Sequence, residues 1–168
     1  MLIITLFIFG LVTRLIPHLP NFTPILAISL FAGAYFNKKY AIWFPIALYA
    51  ISELIIGGND VIFFTAGSIF LITLLGMRLR GRTSLKNNLF YGLISPIIFF
   101  LVSNFGVWAI GWYPPTLIGL TQCYIMALPF LKVSILASVS YVAVLTLANN
   151  LIVNKVTNKK LAFALLLK

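Results

Sequence analysis

Arg78-Leu-Arg80-Gly-Arg82-Thr-Ser84-Leu-Lys86-Asn-Asn88 is the one strongly polar stretch of the chain, and it lies between two long apolar runs. Runs of that length are membrane-helix candidates, so the loop between them stays on one side of a bilayer. Lys and Arg next to membrane helices are retained on the cytoplasmic side, which predicts an inside loop. Outward from this stretch, Lys38 and Lys39 fill an earlier gap, and Lys155, Lys159, Lys160 and Lys168 follow the last run. These ten cations equal the formal net charge of +10, and the remaining charged residues, Arg14, Lys132, Glu53 and Asp60, cancel. With six crossings all ten fall on the same face, and both termini are cytoplasmic. The outer half then holds a small charge-balanced set with His18 beside it. Ionisable groups inside a membrane are costly and often functional.

Composition agrees with this reading. The chain is 62% hydrophobic and 8% charged, against about 25% charged in a soluble domain. An integral membrane protein is the expected class. A strong positive charge would point to nucleic acid in a soluble chain. Here the cations sit in short loops beside apolar runs, so orientation and contact with anionic lipid account for them, and no nucleic acid is expected. The single cysteine, Cys123, allows neither an internal disulfide nor a cysteine metal cluster. The N-terminus lacks a basic n-region and a small-residue cleavage site, so it reads as a retained first helix.

The expected fold is a single all-α transmembrane domain over residues 1–168. Its helices run at about 2–16, 23–36, 40–56, 61–77, 89–110 and 129–153. Pro17 and Pro20 break the chain after a short first helix, and Pro24 suits the first turn of the second. Gly57-Gly58 ends the third, and Asn59 or Asp60 is placed to cap the fourth. Pro96 is expected to bend the fifth. Gly111-Trp-Tyr-Pro-Pro115 reads as a headgroup-level turn. Thr116–Leu128 is apolar but only about a dozen residues long, which suggests a short interfacial or re-entrant helix before Pro129 starts the last crossing. The apolar tail Leu161–Leu167 is too short to cross and suits the interface or a partner subunit.

The candidate chemistry gathers outside. The loop Arg14-Leu-Ile-Pro-His18-Leu-Pro-Asn21-Phe-Thr23-Pro24 displays a cation, an imidazole, an amide and a hydroxyl on a proline-stiffened frame, as a cavity cap would. The competing reading is a tight turn with Arg14 snorkelling to the headgroups. Glu53 lies one turn from the end of its helix and wants a cation, either Arg14 or Lys132. It contacts a substrate or only fixes helix packing. Asn104 and Trp108 share a helix face and offer an amide and a flat aromatic surface. They serve a ring-bearing ligand, or an interhelical hydrogen bond and an aromatic girdle. Lys132, Ser134, Ser138 and Tyr141 follow at helical spacings, and close helix packing is the better reading of them. No metal site, nucleophile elbow or phosphate loop is discernible, and neither a cofactor nor an enzyme is expected.

The runs Arg14–Pro24, Ser52-Glu-Leu-Ile-Ile-Gly57, Ser103-Asn-Phe-Gly-Val-Trp108 and Tyr113–Phe130 resemble an uncharacterised family of small bacterial integral-membrane proteins. That family is in turn similar to the substrate-binding (S) components of energy-coupling-factor transporters. The resemblance implies a bacterial-type inner membrane, six helices, a vitamin-like nutrient held near the outer face and a cap formed by the loop after helix one. It also implies a transmembrane coupling protein with ATPases as partner. The family pattern has Asp where Glu53 stands and Gly-Asp where Ala137-Ser138 stands. A small-residue docking motif in helix one is reduced here to Gly10, leaving Ser29, Ala32, Gly33 and Ala34 in helix two to substitute for it. The expected function is therefore a substrate-binding component of a small-solute uptake system. Arg14, His18, Asn21, Glu53, Asn104, Trp108 and Lys132 would line its outward pocket. A non-catalytic accessory subunit of a larger membrane complex is the alternative.

Overall fold

The computed structural model describes residues 2–17 and 19–166, with side chains described for 3–17 and 19–154. All regular structure among them is helical: α1 (Leu2–Leu15), α2 (Ile25–Tyr35), α3 (Lys38–Ala41), α4 (Trp43–Ile56), α5 (Ile62–Met77), α6 (Leu85–Ala109) and α7 (Leu117–Leu166). Three helical stretches, Lys38–Ile56, Leu85–Ala109 and Leu117–Asn154, are long and apolar enough to cross a membrane. Three more apolar helices are shorter. The chain is a helical membrane protein.

The shortest of these apolar helices organises the rest. Helix α2 has eleven residues, of which ten, Ile25 to Ala34, are buried. At 1.5 Å per residue it is about 16 Å long, roughly half the hydrocarbon thickness. A helix apolar on every side belongs in a core, and α2 packs against α1, α3, α4, α5, α6 and α7. Its closest neighbour is α5. A Cβ at Gly33 would strike the Thr73 carbonyl oxygen, and one at Gly76 would strike that of Leu30. The two backbones therefore touch, and only glycine fits at either position. Ser29, Ala32, Gly33 and Ala34 are all consumed by this packing. The docking role that the family resemblance left open for them has no accessible surface to use. Gly10 is likewise filled, because a Cβ there meets Leu48 and Ile28.

Both ends of α2 depart from the usual helix terminus. At its C-terminus, Arg80 donates from Nε to the Gly33 carbonyl (2.9 Å) and from Nη2 to that of Phe36 (2.8 Å). A guanidinium here satisfies carbonyls that no helical N–H reaches, and it complements the helix dipole. Arg80 thus has a structural duty besides any part in setting orientation. The N-terminus begins after Pro24, without a side-chain cap.

Several boundaries differ from the sequence expectation, each for a local reason. The third run breaks at Ile42, between α3 and α4. Pro45 has no N–H for the Ala41 carbonyl and its ring crowds that oxygen. The fifth run starts at Leu85, not at 89, because Ser84 Oγ accepts the Asn87 N–H (3.1 Å) and caps it. At α5, Asn59 Oδ1 accepts the Val61 N–H (3.1 Å), Val61 itself holds the cap position, and Asp60 is exposed. The cap expected from Asn59 or Asp60 is therefore an Asn59 turn two residues upstream of the cap position.

The largest correction concerns residues 117–153. The separate interfacial or re-entrant helix and the fresh start at Pro129 are absent: α7 runs unbroken from Leu117, with Pro129 inside it. Thr116 Oγ1 caps its start by accepting the Gly119 N–H (3.1 Å). Cys123, Ala127, Ser134, Ser138, Val142 and Leu145 are buried on both sides of the proline, at spacings that keep one helix face inward. Pro129 lies on the exposed side. This stripe binds α6 along its length. Tyr124 Oη donates to the Leu101 carbonyl (2.7 Å), Ser138 Oγ to that of Gly92 (2.8 Å), and Asn88 Nδ2 to Thr146 Oγ1 (3.0 Å). Continuous tertiary packing overrides one missing hydrogen bond. The tail residues 161–166 continue the helix, while their side chains, with Lys155, Lys159, Lys160 and Lys168, lie outside the described ones.

The contacts also set relative direction. Residues 7, 10 and 14 of α1 meet 44, 48 and 53 of α4, so these helices run parallel. Helix α7 pairs antiparallel to α6. Lys38, Lys39, Arg78, Arg80, Arg82 and Lys86 therefore lie at the end of the bundle opposite Arg14 and Glu53. Two outcomes check this architecture. In a Cys123→Ala background, an impermeant maleimide applied to intact cells should label Asp60→Cys and spare Thr83→Cys. Gly33→Ala and Gly76→Ala should each lower stability by at least about 1–3 kcal/mol. Gly67→Ala, whose added Cβ meets nothing within 4 Å, should not; thermal melts in detergent report the difference.

Candidate functional site

Where α1 ends, the chain does not return directly to α2 but passes through Ile16–Pro24, and a cavity of about 680 Å³ lies beneath this loop. Its floor includes Ile25 and Leu26 at the start of α2. Its walls come from the last turns of α1, α4 and α6, the first turn of α5, and the N-terminal half of α7 around Ala127–Ser134. The short α2 explains the space: a helix of full length would fill it.

A buried polar cluster occupies one wall. Arg14, in the last turn of α1, donates from Nη2 to Glu53 Oε1 at 2.5 Å. The two side chains are 12% and 6% exposed, so the pair is held largely away from water. Asn59 Nδ2 donates to the second carboxylate oxygen, Oε2, at 2.6 Å, and lies 3.2 Å from Tyr49 Oη. The Arg14 guanidinium also sits over the Tyr49 ring, 5.1 Å from its centroid. Such a cation over an aromatic face is attracted by the ring quadrupole. Arg14 Nε is buried and without a hydrogen-bond partner.

The local sequence builds this cluster economically. Tyr49 and Glu53 stand four residues apart on α4 and so share a face. Gly57 (φ +115°) and Gly58 (φ +71°) adopt left-handed backbone, and both N–H groups bond the Glu53 carbonyl, at 2.9 and 2.7 Å. That terminates α4 one turn after Glu53 and turns the chain so that Asn59 faces back to the carboxylate. Asn59 has its Oδ1 committed to Val61, so its Nδ2 is left to point at Glu53.

The sequence-derived candidates divide. Arg14, Asn21, Glu53 and Asn104 line the cavity. Asn21 takes a left-handed conformation (φ 65°) within the Leu19–Phe22 turn, which asparagine tolerates better than most residues. Asn104 donates from Nδ2 to the Phe100 carbonyl (2.8 Å). Trp108 does not line the cavity; its indole Nε1 bonds the Pro114 carbonyl (3.0 Å) and holds the α6–α7 turn. Lys132 is exposed, off the inward face of α7. His18 lies outside the described residues. Thr23, Tyr49, Asn59, Thr65, Ser103 and Ser134 add to the polar lining. No group of three metal-binding side chains occurs among the described residues.

The chain matches a family of unknown function, DUF6580, over residues 1–161, and belongs to that family. No curated protein and no solved structure matches it.

The pair sets a testable energy. Removing one member of a buried ion pair leaves the other charge uncompensated, at about 3–5 kcal/mol. Glu53→Ala and Arg14→Ala should each destabilise by about that amount in detergent melts, and Arg14→Leu/Glu53→Leu together by much less than the sum of the two.

Proposed function

We propose that this protein is the substrate-binding membrane component of a small-solute uptake system, with a vitamin-like nutrient held in the cavity beneath the Ile16–Pro24 loop. The observation that carries the reading is the coincidence of this cavity with buried hydrogen-bonding groups on its wall. At about 680 Å³ it falls within the usual size of small-molecule sites, about 300–1,000 Å³, and it combines an apolar lining with a few convergent polar groups. Packing alone does not call for a space of this size next to an ion pair. The position of the cavity at the end opposite most of the cations supports the same reading. A transmembrane coupling protein with ATPases is the expected partner. It docks on a face other than α2, whose small residues are buried.

Purification in mild detergent from native membranes, with mass spectrometry of retained proteins and small molecules, tests the proposal. A retained nutrient-like molecule, together with ATPase subunits, is the expected result. Asn104→Ala should weaken retention of that molecule about tenfold or more, the worth of one well-made hydrogen bond in a dry site, without shifting the melting temperature. Stoichiometric capture in an unrelated complex, with lipid in the cavity and no retained solute, would replace this reading with that of an accessory subunit.

A further inference from the structure

Arg14 and Glu53 are the two charged residues among the described lining of the cavity. They are spent on each other, so the described residues of the wall offer hydrogen bonds but no net charge. Asp60 and Lys132, the other balancing pair in the outer half, are exposed and off the wall. An ion entering this site would lose its hydration and find no counter-charge, unless it broke a buried pair that Asn59 and Tyr49 also hold in place.

Two amide side chains on the wall define what a neutral guest can satisfy. Asn21 lines the cavity, and its Nδ2 is a donor. Asn104 spends its Nδ2 on the Phe100 carbonyl, which leaves its Oδ1 as an acceptor. A carbonyl oxygen matches the first and an N–H the second. A primary amide or a ring lactam carries both on adjacent atoms without bringing a charge. Phe99, Phe100 and Phe130 supply apolar surface for the remainder of such a molecule.

We infer that the cavity selects net-neutral solutes of amide or lactam type, and that the Arg14–Glu53 pair is the residue set that imposes this charge selectivity. This inference rests on the solute-binding reading. It carries a signature that a purely structural ion pair would not show. Removing the charge of one member leaves the other unpaired on the wall, and the preference must then move toward an ion of opposite sign.

The test uses three probes that share one aromatic body: 3-phenylpropanamide, 3-phenylpropanoate and 3-phenylpropylamine. Their binding is measured by calorimetry at pH 7 and millimolar concentration, on the full chain in phosphatidylcholine nanodiscs. The wild type should bind the amide at least about tenfold more tightly than either ion, the scale set by burying an unpaired charge. Glu53→Gln should raise affinity for 3-phenylpropanoate about tenfold or more, and Arg14→Gln that for 3-phenylpropylamine. The wild-type preference decides the matter alone should a variant fail to fold. Preference of the wild type for either ion, or indifference among the three, overturns the inference and leaves the solute-binding reading standing. Failure of the wild type to bind any of them also overturns the inference, while mass spectrometry of retained solutes decides the solute-binding reading separately.

Discussion

The bundle depends on the fact that α2 is too short for the membrane it belongs to. An apolar helix of full length would satisfy its own backbone from one interface to the other. This one ends its hydrogen bonding in the middle of the protein, and each end needs an answer from elsewhere in the chain. At Phe36 the answer is a guanidinium carried on the turn after α5. At Ile25 the chain stays irregular, as the proline-stiffened loop Ile16–Pro24. Residues of that loop line the cavity. The glycine contact with α5, the Arg80 cap, the loop and the cavity are four consequences of one missing half-helix.

The same geometry separates two kinds of polar group. On the α2 C-terminal side, buried polar atoms join helices: Asn88 links Tyr35 and Thr146, and Arg80 ties α2 to the loop after α5. On the N-terminal side, Arg14, Glu53, Asn59 and Tyr49 bond one another around an open space. A polar network that bridges packed helices rigidifies them. Each network also keeps one buried atom without a hydrogen-bond partner, Asn88 Oδ1 on the first side and Arg14 Nε on the second.

Much of this is legible in the amino-acid sequence. Charge placement along the chain separates the two ends, and Glu53 is bound to seek Arg14 or Lys132. The choice between them is not legible. It depends on α1 and α4 running side by side in parallel, while Lys132 projects from an outward face of α7. Tyr49 carries a signal of its own, since it stands four residues before Glu53 and so shares its face. A helix-cap reading of Asn59 captures its Oδ1 and misses its Nδ2. Helical spacing assigns Trp108 to a ligand face, but the Pro114 carbonyl six residues on claims its indole. Local rules make Pro129 a boundary. The buried positions 123, 127, 134 and 138 continue across it at helical spacing, and that longer-range period is the stronger signal. The cavity itself has no sequence signature beyond the shortness of the second apolar run.

The Arg80 cap also imposes an order on synthesis. Its acceptor at Phe36 precedes it by 44 residues. At about 5–20 residues per second, the ribosome needs roughly 2–9 s to supply it. For that interval α2 is an eleven-residue apolar segment with unsatisfied carbonyls and no neighbour at Gly33, too short to rest across a bilayer unaided. The nascent α1–α4 region must therefore wait for α5 before its central helix has a stable place. During that wait it is a natural client for the insertion machinery, and α5 with its trailing arginine is the element that closes the assembly.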